Sequence, residues 1–234
     1  MGRLRYADRV TVEAVLFDFS GTLFRLEDHE SWAADLITTD GRPLDAAESA
    51  EVLRRLTTPV EQVVRFDERD QFAWENRDLD PKLHRQAYLE VLRQTGVGRP
   101  EQVYARLVDP LAWTPYPDTA DILKALNTQG IPIAVVSNIA HDVRPSFGKY
   151  GLDRYVDAYA LSFEVGAVKP DPTIFRWALD RLGVAPEAAL MVGDSREADG
   201  AATALGCRFG WVDPLPTAQR PDGLRTVLRA HGVL

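Results

Sequence analysis

Cysteine is nearly absent: the 234 residues contain one, Cys207. An internal disulfide and a cysteine-ligated metal cluster are therefore excluded, and a lone thiol suits a reducing cytosol, the location expected for the chain. Lysine is scarce too, with Lys82, Lys124, Lys149 and Lys169 standing among 27 basic residues, so each merits inspection. No apolar run is long enough to cross a bilayer. The opening MGRLRYADRV is basic but has no apolar stretch behind it, which is not the pattern of a secretory signal, and Tyr6 stands where a myristoylation signal needs Ser or Thr. A basic excess is also lacking. The 35 acids outnumber 27 bases for a net charge of −8, which argues against nucleic-acid and membrane partners. What remains is an ordinary globular composition, 45% hydrophobic and 26% charged, too apolar for disorder.

Short apolar runs recur along the chain and end in polar residues. Val12–Asp18, Ile131–Ser137, Ala158–Ser162, Ala189–Asp194 and Arg208–Val212 each predict a buried strand of a parallel sheet. Helical stretches separate them: Asp118–Asn127, Asp142–Tyr150, a helix capped by Asp171 and stopping near Gly183, and Glu197–Leu205. A last helix is expected over Asp222–Ala230. Alternation of this kind predicts an α/β, doubly wound, mostly parallel sheet. Residues 24–110 differ. Asp45–Leu56, Pro81–Thr95 and Glu101–Leu107 read as helices, and no strand is expected among them. The chain thus divides into a core of residues 1–23 and 111–234 and a helical insertion of residues 24–110. Placed after the first strand, the insertion overhangs the carboxyl ends of the strands, where such sheets bind ligands.

The polar residues at those strand ends carry the chemistry. The first strand runs into Asp18-Phe19-Ser20-Gly21-Thr22-Leu23, and the second core strand ends in Ser137-Asn138. Lys169 precedes Pro170, and Gly193-Asp194-Ser195 closes a further strand, with Asp199 five residues beyond Asp194. Any one of these alone reads as a turn or a cap. Together, at successive strand ends, they place carboxylates at one point, where they repel unless a hard dication such as Mg²⁺ joins them. A lysine and a hydroxyl alongside would hold a phosphate, and one carboxylate could attack its phosphorus.

In these residues and their order the chain resembles the haloacid dehalogenase superfamily, with a helical cap of the first type. The resemblance implies Asp18 as nucleophile and Mg²⁺ ligand, with Ser20 offering its backbone carbonyl to the metal. It implies Asp194 as a direct ligand and Asp199 as one held directly or through water. Thr22, Ser137, Asn138 and Lys169 would grip the phosphoryl group of a small phosphorylated metabolite. Relatives that are phosphatases usually carry Asp two residues after the nucleophile, to protonate the leaving oxygen and then activate water. Here it is Ser20, whose hydroxyl titrates far above neutrality, and loss of such a group costs about 10²–10⁴-fold in rate. The position varies across the superfamily, with Thr in transport ATPases, Ala in phosphonatases and Tyr in dehalogenases.

Three functions follow. The first is a Mg²⁺-dependent phosphatase that forms an aspartyl-phosphate, with Ser20 and Lys169 beside Asp18 in the catalytic set. The second is a non-catalytic or regulatory protein that binds a phosphorylated ligand. The third is a haloacid dehalogenase, a reading weakened by the intact Asp194. Trp32, Trp74, Arg77 and His84 are candidates for lining the cap, with His29 in the neck. Monomer and homodimer are both compatible with the sequence.

Overall fold

The computed structural model describes residues 11–26, 36–57 and 64–234. His29, Trp32 and the N-terminal ten residues lie outside them.

Five strands form one parallel sheet: β1 (Ala14–Phe17), β4 (Ile133–Ser137), β5 (Ala158–Leu161), β6 (Ala189–Gly193) and β7 (Arg208–Trp211), in the order β5-β4-β1-β6-β7. Every strand run expected from the sequence is present, as is the α/β doubly wound architecture. Because alternate side chains of a strand point to opposite faces, each apolar run feeds two cores. Leu16, Ala134, Val136, Ala160 and Met191 pack on one face with Ile174, Phe175 and Leu179. Val15, Phe17, Val135, Leu190 and Val192 pack on the other with Ile122, Leu123, Leu126, Leu224 and Leu228.

Among the described residues of the 24–110 segment lie four α-helices: α1 (Ala46–Thr57), α2 (Glu68–Glu75), α3 (Pro81–Gln94) and α4 (Pro100–Leu107). They are followed by α5 (Thr119–Thr128), α6 (Arg144–Lys149), α7 (Ser162–Val165), α8 (Pro172–Leu182) and α9 (Gly223–Ala230). Local chemistry sets the boundaries. The Asp80 side chain accepts from Lys82 N–H ahead of Pro81, and Asp171 accepts from Thr173 N–H ahead of Pro172.

Two expectations are corrected, and one helix lies where none was expected. Residues 24–110 do contain a strand: β2 (Phe24–Arg25) pairs antiparallel with β3 (Thr114–Pro115). A ladder so short shows no periodicity in sequence. Phe24 also belongs with the sheet's core, its ring stacked on Phe19 at 5.1 Å. The polar stretch of α2 carries no apolar stripe, yet it is helical because the Asp67 side chain caps it through Asp70 N–H at 2.8 Å. Finally, Glu197–Leu205 is not an α-helix. Residues 196–199 form a turn and Gly200–Leu205 a 3₁₀ helix. Here Ser195 N–H donates to the Asp199 carboxylate at 2.9 Å and Ala198 N–H to the Ser195 hydroxyl at 3.0 Å. Such side-chain bonds compete with the helical ladder.

Sheet order places the site. From β1 the chain moves through β4 to β5 on one side, then crosses to β6 and β7 on the other. The reversal lies beside β1, and its carboxyl end is where an open α/β sheet leaves a crevice.

Candidate active site

Asp18 follows β1 directly, its N–H still bonded to Val192 O at 2.9 Å. The chain then turns back: Leu23 N–H and Phe24 N–H both reach Phe19 O, at 3.0 and 2.9 Å. Gly21 makes the turn possible. Its φ is +75°, and a Cβ there would run into the Asp194 carboxylate. A buried arginine from the far end of the chain secures this turn. Arg220 lies over the Tyr116 ring and donates to Gly21 O at 2.6 Å and to Thr22 O. Sequence reasoning passed over Arg220, because an isolated arginine after a proline-rich loop carries no pattern.

Lys169 is buried between two carboxylates, its Nζ 2.7 Å from Asp18 Oδ1 and 2.6 Å from Asp199 Oδ1. Asp199 Oδ2 accepts Ser195 N–H, so both its oxygens are engaged by donors. The Asn138 amide holds Lys169 in turn. It donates to Lys169 O at 2.9 Å and accepts from Lys169 N–H at 2.7 Å. Thr22 donates its hydroxyl to Asp18 Oδ2 at 3.1 Å and is fully buried. Two residues expected to grip phosphate, Thr22 and Asn138, thus direct their side chains onto Asp18 and onto the lysine's main chain. Ser137, Asn138 and Lys169 line the shared cavity; Thr22 does not.

Asp18, Asp194 and Asp199 each offer a carboxylate oxygen, all within 4.8 Å of one another. Their electrostatics show the strain of that proximity. Burial pushes Asp18 up to about 6; Asp199 adds to the rise and Lys169 opposes it. Burial and then the neighbouring Asp18 and Asp199 carry Asp194 up to about 7. Burial by itself would depress the Lys169 ammonium, but the two carboxylates overcome it and hold it above its ordinary value. One lysine against three acids leaves a negative, all-oxygen cluster, the donor set of a hard dication. The residues present fit Mg²⁺.

The cluster opens into a cavity of about 670 Å³, lined on the sheet side by Asp18, Ser20, Ser137, Lys169 and Asp194. Across from them stand residues of the helical segment: Leu56, Arg77, Asp78, His84, Tyr88 and Leu107. Of the cap candidates, Arg77 and His84 reach the cavity. Trp74 does not; it is buried under Arg77, whose guanidinium lies 4.1 Å from its ring centre. Arg25, Asp78, Tyr88, Trp113 and His141 also line the space and were not anticipated. His84 and His141 are held neutral, burial taking them down to about 3 and about 4.

A family model described as haloacid dehalogenase-like hydrolase matches residues 12–205. The chain belongs to the haloacid dehalogenase-like hydrolases. Among curated relatives, a phosphoserine phosphatase from Thermus thermophilus is 39% identical over 100 residues, covering 42% of this chain and 40% of that one. A ribulose-1,5-bisphosphate 5-phosphatase from Halopiger xanaduensis is 32% identical over 139 residues, 56% of this chain and 58% of that one. The chain therefore spans about two fifths to three fifths of the length of these relatives. Among solved structures, a HAD phosphatase from Thermococcus onnurineus covers 86% of both chains at 26% identity and TM-score 0.53. The L-2-haloacid dehalogenase of Xanthobacter autotrophicus covers 94% of this chain and 88% of that one at 22% identity and TM-score 0.64, a likeness of fold. Among the described residues, no helix is long and apolar enough to cross a membrane.

Proposed function

We propose that this haloacid dehalogenase-like hydrolase is a Mg²⁺-dependent phosphatase that cleaves a small phosphorylated metabolite through an aspartyl-phosphate on Asp18. The observation that carries the reading is the pairing at Asp18: one carboxylate oxygen on buried Lys169 at 2.7 Å, inside a carboxylate cluster that lines a cavity shared with the helical segment. The phosphatase relatives support the substrate class.

Asp18, Asp194 and the Ser20 carbonyl would hold Mg²⁺, with Asp199 at the rim of the set. When bound, the ion supplies positive charge that keeps the carboxylates ionised and offsets charge on the phosphoryl oxygens. The chain's own residues do the rest. Lys169 neutralises a phosphoryl oxygen next to the nucleophile, and Ser137 offers its hydroxyl to another. Thr22 and Arg220 keep Asp18 aimed from the turn, and Asn138 sets how far Lys169 reaches. Ser20 can orient a water but cannot serve as an acid at neutral pH. The segment between β2 and β3 acts as a cap whose closure excludes water and whose opening releases product.

A cavity of about 670 Å³ admits a small organic phosphate rather than a polymer. The test is a turnover screen over phosphorylated metabolites with Mg²⁺ and with chelator. Hydrolysis that requires Mg²⁺, is lost in Asp18→Asn and leaves label on Asp18 bears the reading out. Ser20 favours a second reading, a protein that binds a phosphorylated ligand without turning it over. Tight, Mg²⁺-dependent binding with no hydrolysis of any tested phosphate would establish it. Halide release that persists in chelator would instead make the protein a dehalogenase.

A further inference from the structure

We propose that Asp78, carried by the helical segment, performs the proton transfers for which Ser20 has no group. The inference rests on the phosphatase reading above. Among the described residues lining the cavity, the carboxyls are Asp18, Asp78, Asp194, Glu197 and Asp199. Asp18, Asp194 and Asp199 make the metal cluster, and Glu197 is exposed to solvent. Asp78 is the remaining acid in the space where a substrate would lie.

Its placement is built rather than incidental. Asp78 sits in the tight turn between α2 and α3, where Leu79 N–H closes on Asn76 O at 3.0 Å. The Ser162 hydroxyl, from the first residue of α7, donates to Asp78 O at 2.6 Å and accepts from Ile139 N–H at 2.8 Å. Ile139 follows Asn138, the residue that clamps Lys169. One hydroxyl thus ties the turn bearing Asp78 to the loop that positions the lysine. Among the described residues the carboxylate has a loose partner, Arg77 Nε at 3.9 Å, which leaves it able to meet a substrate oxygen.

The charges around Asp78 suit an acid. Burial holds the Asp78 carboxyl above the usual carboxylate range, and the cations Arg77 and Lys169 pull it back only in part. Tyr88, facing it from α3, is pushed up to about 12 mainly by burial and stays a neutral phenol. The two imidazoles in the cavity do not compete as acids. His84 and His141 are neutral at pH 7, and His84 Nδ1 is already paired with Tyr104 Oη at 2.9 Å.

In the first step the Asp18 carboxylate bonds to phosphorus while the phosphorus–oxygen bond to the leaving group breaks. The Asp78 proton passes to the departing oxygen, giving a neutral alcohol and the aspartyl-phosphate. In the second step water attacks that phosphorus and the bond to Asp18 breaks. The Asp78 carboxylate takes one proton from the water, orthophosphate leaves, and both carboxyls return to their starting states.

The test compares kcat/KM of the full chain with Mg²⁺ on p-nitrophenyl phosphate, whose leaving anion is stable, and on phenyl phosphate, whose leaving group needs a proton. Asp78→Asn keeps the shape of the residue and the carbonyl that Ser162 holds. It should lower phenyl phosphate cleavage about 10²-fold and p-nitrophenyl phosphate cleavage by no more than about 5-fold, and abolish the fall in rate at high pH. Asp78→Glu should keep the leaving-group preference of wild type. Ser20→Asp in the Asp78→Asn background should restore phenyl phosphate cleavage at least about tenfold. Equal losses on both substrates, or a pH profile unchanged by Asp78→Asn, would overturn the role of Asp78 while leaving the phosphatase reading intact. A wild type that hydrolyses neither ester would overturn both.

Discussion

Replacing Asp194 by Asn sets the repulsion within the carboxylate cluster against the ligand role proposed for it, and the two effects have opposite signs. Asp194 titrates at about 7, against 3.8 for an ordinary aspartate. A folded-state value above the unfolded one means that the native protein holds its proton more tightly. Metal-free wild type therefore loses stability as pH rises from about 4 through about 7. A difference of this size corresponds to roughly 4 kcal/mol in the fully ionised state. Asp194 opens onto the cavity, where water screens part of the cost, so about 2 kcal/mol is expected. On a chain of this size that is roughly 4–8 °C in Tm. The asparagine side chain carries no charge and escapes the penalty. In chelator at pH 8, Asp194→Asn should melt about 4–8 °C above wild type, and the gap should close as the pH falls to about 4. Mg²⁺ at 100 times its Kd should add about 2.7 kcal/mol, or roughly 5–11 °C, to wild type and little to the variant. Calorimetric melts at the two pH values, with chelator and with Mg²⁺, measure all four quantities. If the variant melts below wild type in chelator, or gains as much from Mg²⁺, the cluster is not the strained cation site described here.

Gly21→Ala would force a Cβ against the Asp194 carboxylate at a backbone φ of +75°; it should cost about 1–3 kcal/mol and remove the Mg²⁺-dependent rise in Tm, both read from the same melts. Asn138→Ala removes both hydrogen bonds that hold the Lys169 backbone; a fall in kcat/KM of about tenfold or more is expected, with KM for phosphate esters rising. Lys169→Met leaves Asp18 and Asp199 without their shared cation. Hydrolysis should drop about 10²-fold or more, and the acid limb of the residual rate should move to higher pH, since Asp18 already titrates at about 6 with the lysine in place.

The sheet and the residues at its edge were legible because parallel strands buried on both faces are written as unbroken apolar runs. Each run ends where the cavity begins, so Asp18, Ser137 and Asp194 stand out together by the change of polarity at successive strand ends. The caps of α3 and α8 were legible for a similar reason: Asp80-Pro81 and Asp171-Pro172 declare a helix start within two residues. Other features depend on partners distant in sequence. The strands β2 and β3 exist only as each other's neighbour. Asp78 stands in an unpatterned polar turn, Asn76-Arg77-Asp78-Leu79-Asp80, and becomes a half-buried acid because Ser162 and the sheet edge come to meet it. Arg220 depends on carbonyls about two hundred residues earlier. For Thr22 and Asn138, motif position alone did not show that each side chain turns inward, one to the Asp18 carboxylate and one to the lysine's backbone.

The paired strands Phe24–Arg25 and Thr114–Pro115 carry one further consequence. Outgoing and returning chain leave the sheet side by side, as the two legs of a hairpin. The rest of the molecule therefore meets the same short stem whatever polypeptide is strung between its legs. Closing a loop across such a stem costs only about 0.6 kcal/mol more for each doubling of loop length. Insertions, deletions and whole transplanted lobes can accumulate beyond the stem while Asp18, Lys169 and Asp194 keep their places. Under the proposed function, the segment that would select a substrate can thus diverge without disturbing the residues that would do the chemistry.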